Sequence, residues 1–201
     1  MGRGAGYART EMDLRNGRGK GETDSYQIGL YATWHRQNFH LDLGAFYGFN
    51  QHDASRDITY PGLAREAKAD YDSQQVTVLL GGGWLFPLGS WKVGPELSAL
   101  YSHLDQESFT ETGAGDVSLR VDKRRTDSLR STLGLLAQRT VKLEEGQFDL
   151  EARAAWAREH LDGDRDMKAR FAGATSPATF KVRAEEPVRD AIQVGVGAGF
   201  Q

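Results

Sequence analysis

Three groupings in this 201-residue sequence bring together side chains of the kinds that do chemistry. His35 and His40 flank Gln37-Asn38, and Asp42 follows close behind. A tight turn at Gln37-Asn38 would set the two imidazoles face to face with the carboxylate beside them, a set able to bind a metal ion or exchange protons. The sequence offers no third close ligand and no nucleophile, so a polar surface beside a turn is the simpler account. Ser102 and His103 are a nucleophile and a base in sequence. In a strand, however, neighbours point to opposite faces and cannot act together. Gly2, Gly4 and Gly6 are not followed by the GK[ST] of a phosphate loop, and the GxSxG, HExxH and EF-hand patterns are absent. The sequence therefore predicts no enzyme, no cofactor and no metal site.

What must position these residues follows from composition and period. There is no cysteine, so disulfides and thiolate chemistry are excluded. The 25 basic and 28 acidic residues are scattered along the chain to a net charge of −3, without the basic stripe of a nucleic-acid binder. No stretch reaches the ~18 apolar residues of a spanning helix, and the N-terminus lacks the apolar core of a secretory signal. With 24 glycines and 5 prolines, the composition suits short strands and polar loops, in water or in a membrane.

Period separates the faces. Tyr26, Ile28, Leu30, Ala32 and Trp34 alternate with Gln27, Gly29, Tyr31 and Thr33, and the alternation resumes from Phe39 to Phe49. Folding at Gln37-Asn38 predicts a hairpin with Arg36 opposite Phe39, Tyr31 opposite Gly44 and Gly29 opposite Phe46. Val76 to Phe86 leads through Pro87-Leu88-Gly89-Ser90 into Trp91 to Tyr101, and Leu129 to Ala137 leads through Glu144-Glu145-Gly146 into Phe148 to Trp156. Weaker strands flank these at Gly4–Asp13 and Ile192–Phe200. The expectation is all-β: one domain over residues 1–201, an antiparallel up-and-down transmembrane β-barrel with about eight strands.

The turns within hairpins are short, whereas 14–23, 51–70, 105–125 and 161–188 read as long charged loops, an asymmetry that transmembrane barrels show between their two rims. Trp34, Phe39, Trp84, Phe86, Trp91 and Phe148 stand beside the short turns and would form a membrane girdle. Gln27, Tyr31, Asp42, Phe46, Glu96, Arg130, Glu151 and Arg153 would face the lumen. Ile28, Leu30, Leu41, Leu43, Leu80, Leu97, Leu133 and Ala154 would face lipid. A polar face rich in glycine and charge is a poor lining for an apolar cavity, which favours apolar-out over a soluble ligand-binding β-barrel.

Six stretches, in order, carry a resemblance: Tyr31-Ala32-Thr33-Trp34; Pro95-Glu96-Leu97 with Leu100-Tyr101; Ser108 to Ala114; Asp127 to Gly134; Ala154 to Glu159; and Ala169 to Ala174. Together they resemble the autotransporter β-domain, the translocator barrel of type V secretion. The resemblance implies a Gram-negative outer-membrane barrel of about twelve strands. Its partners would be the lipid bilayer, the barrel assembly machinery and a passenger or linker segment in the pore, and its lumenal charges would contact that segment. About two strands would precede Gly4 and about two would follow Phe200. The alternative is a small outer-membrane barrel acting as porin, adhesin or membrane enzyme through its loops. Were residues 1–201 to close alone, Gly4–Asp13 would pair with Ile192–Phe200 and crowd Tyr31, Phe46, Arg130 and Arg153; otherwise the sheet stays open.

Overall fold

The computed structural model describes residues 1–13, 18–161, 166–174, 179–182 and 188–200. Its strands are β1 (Gly2–Asp13), β2 (Gly19–Arg36), β3 (Phe39–Tyr60), β4 (Leu63–Trp84), β5 (Phe86–Leu88), β6 (Trp91–Gln106), β7 (Phe109–Thr110), β8 (Leu119–Val121), β9 (Arg124–Leu143), β10 (Gly146–Glu159), β11 (Met167–Phe171), β12 (Phe180–Val182) and β13 (Asp190–Phe200). A 3-10 turn at Gly115–Val117 precedes β8. The main sheet runs β1-β2-β3-β4-β6-β9-β10-β13, and β5 continues the line of β4 along β6. Every pairing in it is antiparallel, each strand beside its neighbour in sequence, so the sheet is an up-and-down meander curled into a half-barrel. Counting β5 with β4, it has the eight strands that the hydrophobic rhythm predicts.

The period-2 reading also fixes the register. Arg36 pairs with Phe39, Tyr31 with Gly44 and Gly29 with Phe46. A slip of one residue would turn every apolar side chain to the other face, so the alternation admits a single register. The turns at 37–38, 89–90 and 144–145 lie on one rim, and the turn at 61–62 lies on the other.

Strand length departs from expectation. Residues 51–60 and 63–70 are no loop: β3 and β4 pair without a break from Phe39↔Trp84 to Tyr60↔Leu63. Strand β2 starts at Gly19, inside the stretch read as a loop from 14 to 23. The other two long connections contain β7, β8, β11 and β12, which form a second sheet in the order β12-β11-β8-β7. Backbone hydrogen bonding does not depend on an apolar face, so pairing continues where the hydrophobic alternation stops.

Strands β1 and β13 are the edges of the main sheet and, among the described residues, pair with nothing on their outer sides. Of the two expectations for the termini, the open sheet is the one observed. Nearly all of β1 and all of β13 are exposed on both faces.

Candidate functional site: a polar concave face

The alternation places even residues of β3, β6 and β9 and odd residues of β2, β4 and β10 on the concave side. Glycines there bring distant strands together. Gly83 of β4 pairs with His40 on one side and Glu96 on the other, and His40 Nε2 lies 3.6 Å from Glu96 Oε1. Gly134 of β9 separates Glu96 from β10, and Arg153 Nε reaches 3.0 Å from Glu96 Oε2. A side chain at either glycine would fill the space these contacts cross. Arg153 continues to Glu151 Oε1 at 3.3 Å, Gln138 donates to Glu151 at 3.2 Å, and Thr33 donates to Asp42 at 2.7 Å. His40 Nε2 lies 3.7 Å from Asp42. Of these groups His40, Asp42, Glu96, Gln138 and Arg153 line a cavity of about 360 Å³ near the short-turn rim.

The two histidines face each other across the first hairpin, ring centroids 6.1 Å apart. Their neighbours are the ion pairs just described, and among the described residues no group of three or more metal-ligating side chains is assembled. Ser102 and His103 diverge: Ser102 accepts a bond from Gln75 on the concave side (2.9 Å), and His103 bonds Asp127 on the convex side (2.8 Å). Tyr31 lies over Gly2, and Phe46 packs over Gly29 and Gly44. Gln27 shares a row with Gly48 and Gln75. Arg130 Nε lies 3.8 Å from Glu159, which is buried and takes bonds from the Ser128 hydroxyl and the Leu129 amide. The eight concave residues thus divide into a charged belt of Asp42, Glu96, Glu151 and Arg153 at the short-turn end, the aromatic residues Tyr31 and Phe46, and Gln27 and Arg130 outside the belt, Arg130 beside Glu159.

The six aromatic residues read as a girdle lie on the convex side. Trp34, Phe39, Trp84 and Phe86 follow one another with centroid separations of 6.0, 5.8 and 6.3 Å. Trp91 lies under the Arg139 guanidinium, 5.8 Å from ring to cation. Phe148 pairs with Val141 and Phe200. Between this level and Tyr26, Phe49 and Tyr101, the convex positions of β2, β3, β4, β6, β9 and β10 carry no Asp, Glu, Lys or Arg apart from Arg139 at one rim and, at the other, Arg158, which lies 3.9 Å from Asp190. On edge strand β1, Arg3 is a convex charge at mid-height.

Sequence reasoning missed the outer end of the concave face. There His52 Nδ1 and Nε2 bond Thr23 (2.9 Å) and Ser73 (2.8 Å), and His52, Tyr71 and Phe109 stack at 4.7 and 4.2 Å. Burial lowers the pKa of His52, only partly offset by Asp72. On the same level Asp105 is held below the usual carboxylate range by its bond to Lys123. The hydrophobic alternation that marks strands stops short of this level, so nothing local announces that Thr23, His52 and Tyr71 lie opposite one another on paired strands.

The family model for the autotransporter β-domain matches residues 1–201. An uncharacterized Escherichia coli (strain K12) protein, YdeU, is 29% identical over 96 residues, 43% of this chain and 19% of YdeU. The match therefore spans about a fifth of that relative's length. Among solved structures, the translocator domain of the autotransporter NalP from Neisseria meningitidis superposes with a TM-score of 0.72 at 16% identity, over 98% of this chain and 61% of that one. The β domain of the Bordetella autotransporter BrkA aligns over 98% of this chain and 94% of its own length, at 15% identity and a TM-score of 0.43.

Proposed function

The chain belongs to the autotransporter β-domain family, and we propose that it forms wall of an outer-membrane translocator pore through which an N-terminal passenger reaches the surface of a Gram-negative cell. Translocator domains of this family sit in the membrane, carry a passenger segment in the pore and are generally not enzymes.

One observation carries the reading: the division of charge between the two faces. On the convex side, the six central strands present an uncharged band bounded by aromatic residues, which suits lipid between two interfaces. On the concave side the same strands present Asp42, Glu96, Arg130, Glu151 and Arg153 with Gln27, Tyr31 and Phe46 between them, which suits a wet pore. A soluble ligand-binding barrel would invert that division. The chemistry required is passage rather than bond-breaking. Paired charges and glycines make a wall that stays hydrated and grips no single side chain of a moving polypeptide. The bilayer would contact Trp34, Phe39, Trp84, Phe86, Trp91 and Phe148, and the barrel assembly machinery would insert the sheet, since exposed strand edges cannot enter lipid unaided.

The test is export. An epitope placed on the N-terminal side of the domain, in the protein as expressed in a Gram-negative host, is expected to become sensitive to protease added to intact cells. Depleting the assembly machinery should abolish that sensitivity. An epitope that stays protected while the domain is folded in the outer membrane would reject translocation.

A further inference from the structure

Two arginines stand in the aromatic girdle at the short-turn rim, on the convex face. Arg139 of β9 and Trp91 of β6 each lie one residue beyond the Lys92↔Gln138 pair, and the guanidinium sits 5.8 Å from the indole centroid. Arg36 closes β2 opposite Phe39, whose ring lies between those of Trp34 and Trp84. From these positions we infer that Arg139 with Trp91, and Arg36 further round the rim, bind the phosphate of an anionic phospholipid in the leaflet at the short-turn side. The inference rests on the reading that the convex face lies in lipid.

The protein itself leaves both charges unanswered. Arg139 is flanked by Ala137 and Val141 on its own strand and faces Leu150 on β10. At this level no convex position of β2, β3, β4, β5, β6, β9 or β10 is Asp or Glu, and Glu144 and Glu145 of the nearby turn pair with neither arginine. Among the described residues neither guanidinium makes an ion pair or a side-chain hydrogen bond. The contact with Trp91 offsets part of the charge of Arg139 but leaves its N–H donors in need of an acceptor. A lipid phosphate meets that need, because its paired oxygens match the fork of a guanidinium and its charge is opposite. A zwitterionic lipid carries its own ammonium beside the phosphate, so the attraction favours an anionic headgroup.

The opposite rim is built the other way. There the aromatic donors are already bonded to carboxylates of the chain: the Tyr7 hydroxyl to Asp24 at 2.6 Å, the Tyr101 hydroxyl to Asp127 at 2.7 Å and the Trp156 indole N–H to Asp190 at 3.0 Å. The arginines on that side have carboxylates as well, with Arg125 3.4 Å from Asp105 and Arg158 3.9 Å from Asp190. A lipid phosphate arriving there meets fixed negative charge. At the short-turn rim the aromatic residue and the arginine are present and the carboxylate is missing, and the missing anion is one that a leaflet supplies. The two rims therefore select different lipids.

Trp91 can report on its own site. In the protein carrying residues 1–201 with Trp34, Trp84 and Trp156 replaced by Phe, its fluorescence is followed in phosphatidylcholine vesicles that contain a minor fraction of brominated phosphatidylglycerol or, separately, the same fraction of brominated phosphatidylcholine. The ratio of quenching gives the lipid composition at the ring. The anionic lipid is expected to be enriched about fivefold, the gain of one arginine beside an anionic headgroup. Arg139→Gln should bring the ratio close to one, and Arg139→Lys should keep part of it, since a point charge remains without the fork. Trp34 left as the sole tryptophan reads Arg36→Gln in the same way, and Trp156 left as the sole tryptophan should show no enrichment. Equal quenching by the two lipids at Trp91, an enrichment as large at Trp156, or one that Arg139→Gln leaves unchanged would overturn the site and leave the face in lipid. Quenching of Trp91 by aqueous iodide and by neither lipid would overturn the membrane reading and the site with it.

Discussion

Arginine at Leu30 or Leu97 is expected to destabilise the membrane-inserted protein by about 2–4 kcal/mol, whereas arginine at Ser98 should cost far less. Leu30 and Leu97 are 53% and 62% exposed on the convex face, at the height where a bilayer is most apolar. Ordinary proteins do not leave leucines so exposed in rows, because each such side chain forgoes burial that water would favour. In lipid the same rows are solvated, and a guanidinium placed among them must drag water or headgroups inward. Ser98 is one residue from Leu97 but points to the concave side, between Gly81 and Thr132, where a long cation meets water and the carboxylates of Asp42 and Glu96. Equilibrium urea unfolding from lipid vesicles reads the difference. Equal costs at positions 97 and 98 would mean that the two faces do not see different solvents.

Leucine at Gly134 is expected to be nearly as damaging, for a different reason. A Cβ there would stand 2.7 Å from the Ala155 Cβ and 2.9 Å from the Ala154 carbonyl, so even alanine forces β9 and β10 apart. The longer side chain would also occupy the path by which Arg153 reaches Glu96. Overpacking of this kind costs about 1–3 kcal/mol. Gly195 is the control. It too lies on the concave face, but nothing stands within 4 Å of its Cβ position, so alanine there should be tolerated or slightly stabilising. The same unfolding measurement compares them, and a Gly195 variant as unstable as the Gly134 variant would show that glycine serves the strands generally rather than the crossing of side chains above it.

The contrast between these glycines shows what the sequence makes legible. Alternation along Tyr26–Trp34 and Phe39–Phe49 is enough to fix strand, register and face, because a lipid-facing side chain must be apolar and its neighbour need not be. It is enough to set Gly29 under Phe46 and Tyr31 beside Gly44. It fails beyond Phe49, where residues 51–60 run Gln-His-Asp-Ala-Ser-Arg-Asp-Ile-Thr-Tyr without a clean apolar face and yet remain paired strand. It also fails for contacts that skip a strand. His40 meets Glu96 only because Gly83 lies between them, and Arg56 meets Glu111 across a separation of 55 residues. Such meetings depend on curvature and stagger, which a local pattern does not encode.

The central claim, that the convex face lies in lipid and the concave face in water, can be tested without a substitution. All four tryptophans of the chain, Trp34, Trp84, Trp91 and Trp156, are on the convex side, three at the short-turn rim and Trp156 near the opposite one, its indole N–H donating to Asp190 at 3.0 Å. Fluorescence of the protein inserted in vesicles, quenched in parallel by brominated lipids and by aqueous iodide, reads which solvent those rings meet. The account predicts strong quenching by bromine carried near the headgroup end of the acyl chain, weaker quenching by bromine at the bilayer centre, and little by iodide. Strong quenching by iodide together with indifference to brominated lipid would place the tryptophans in water and contradict the pore.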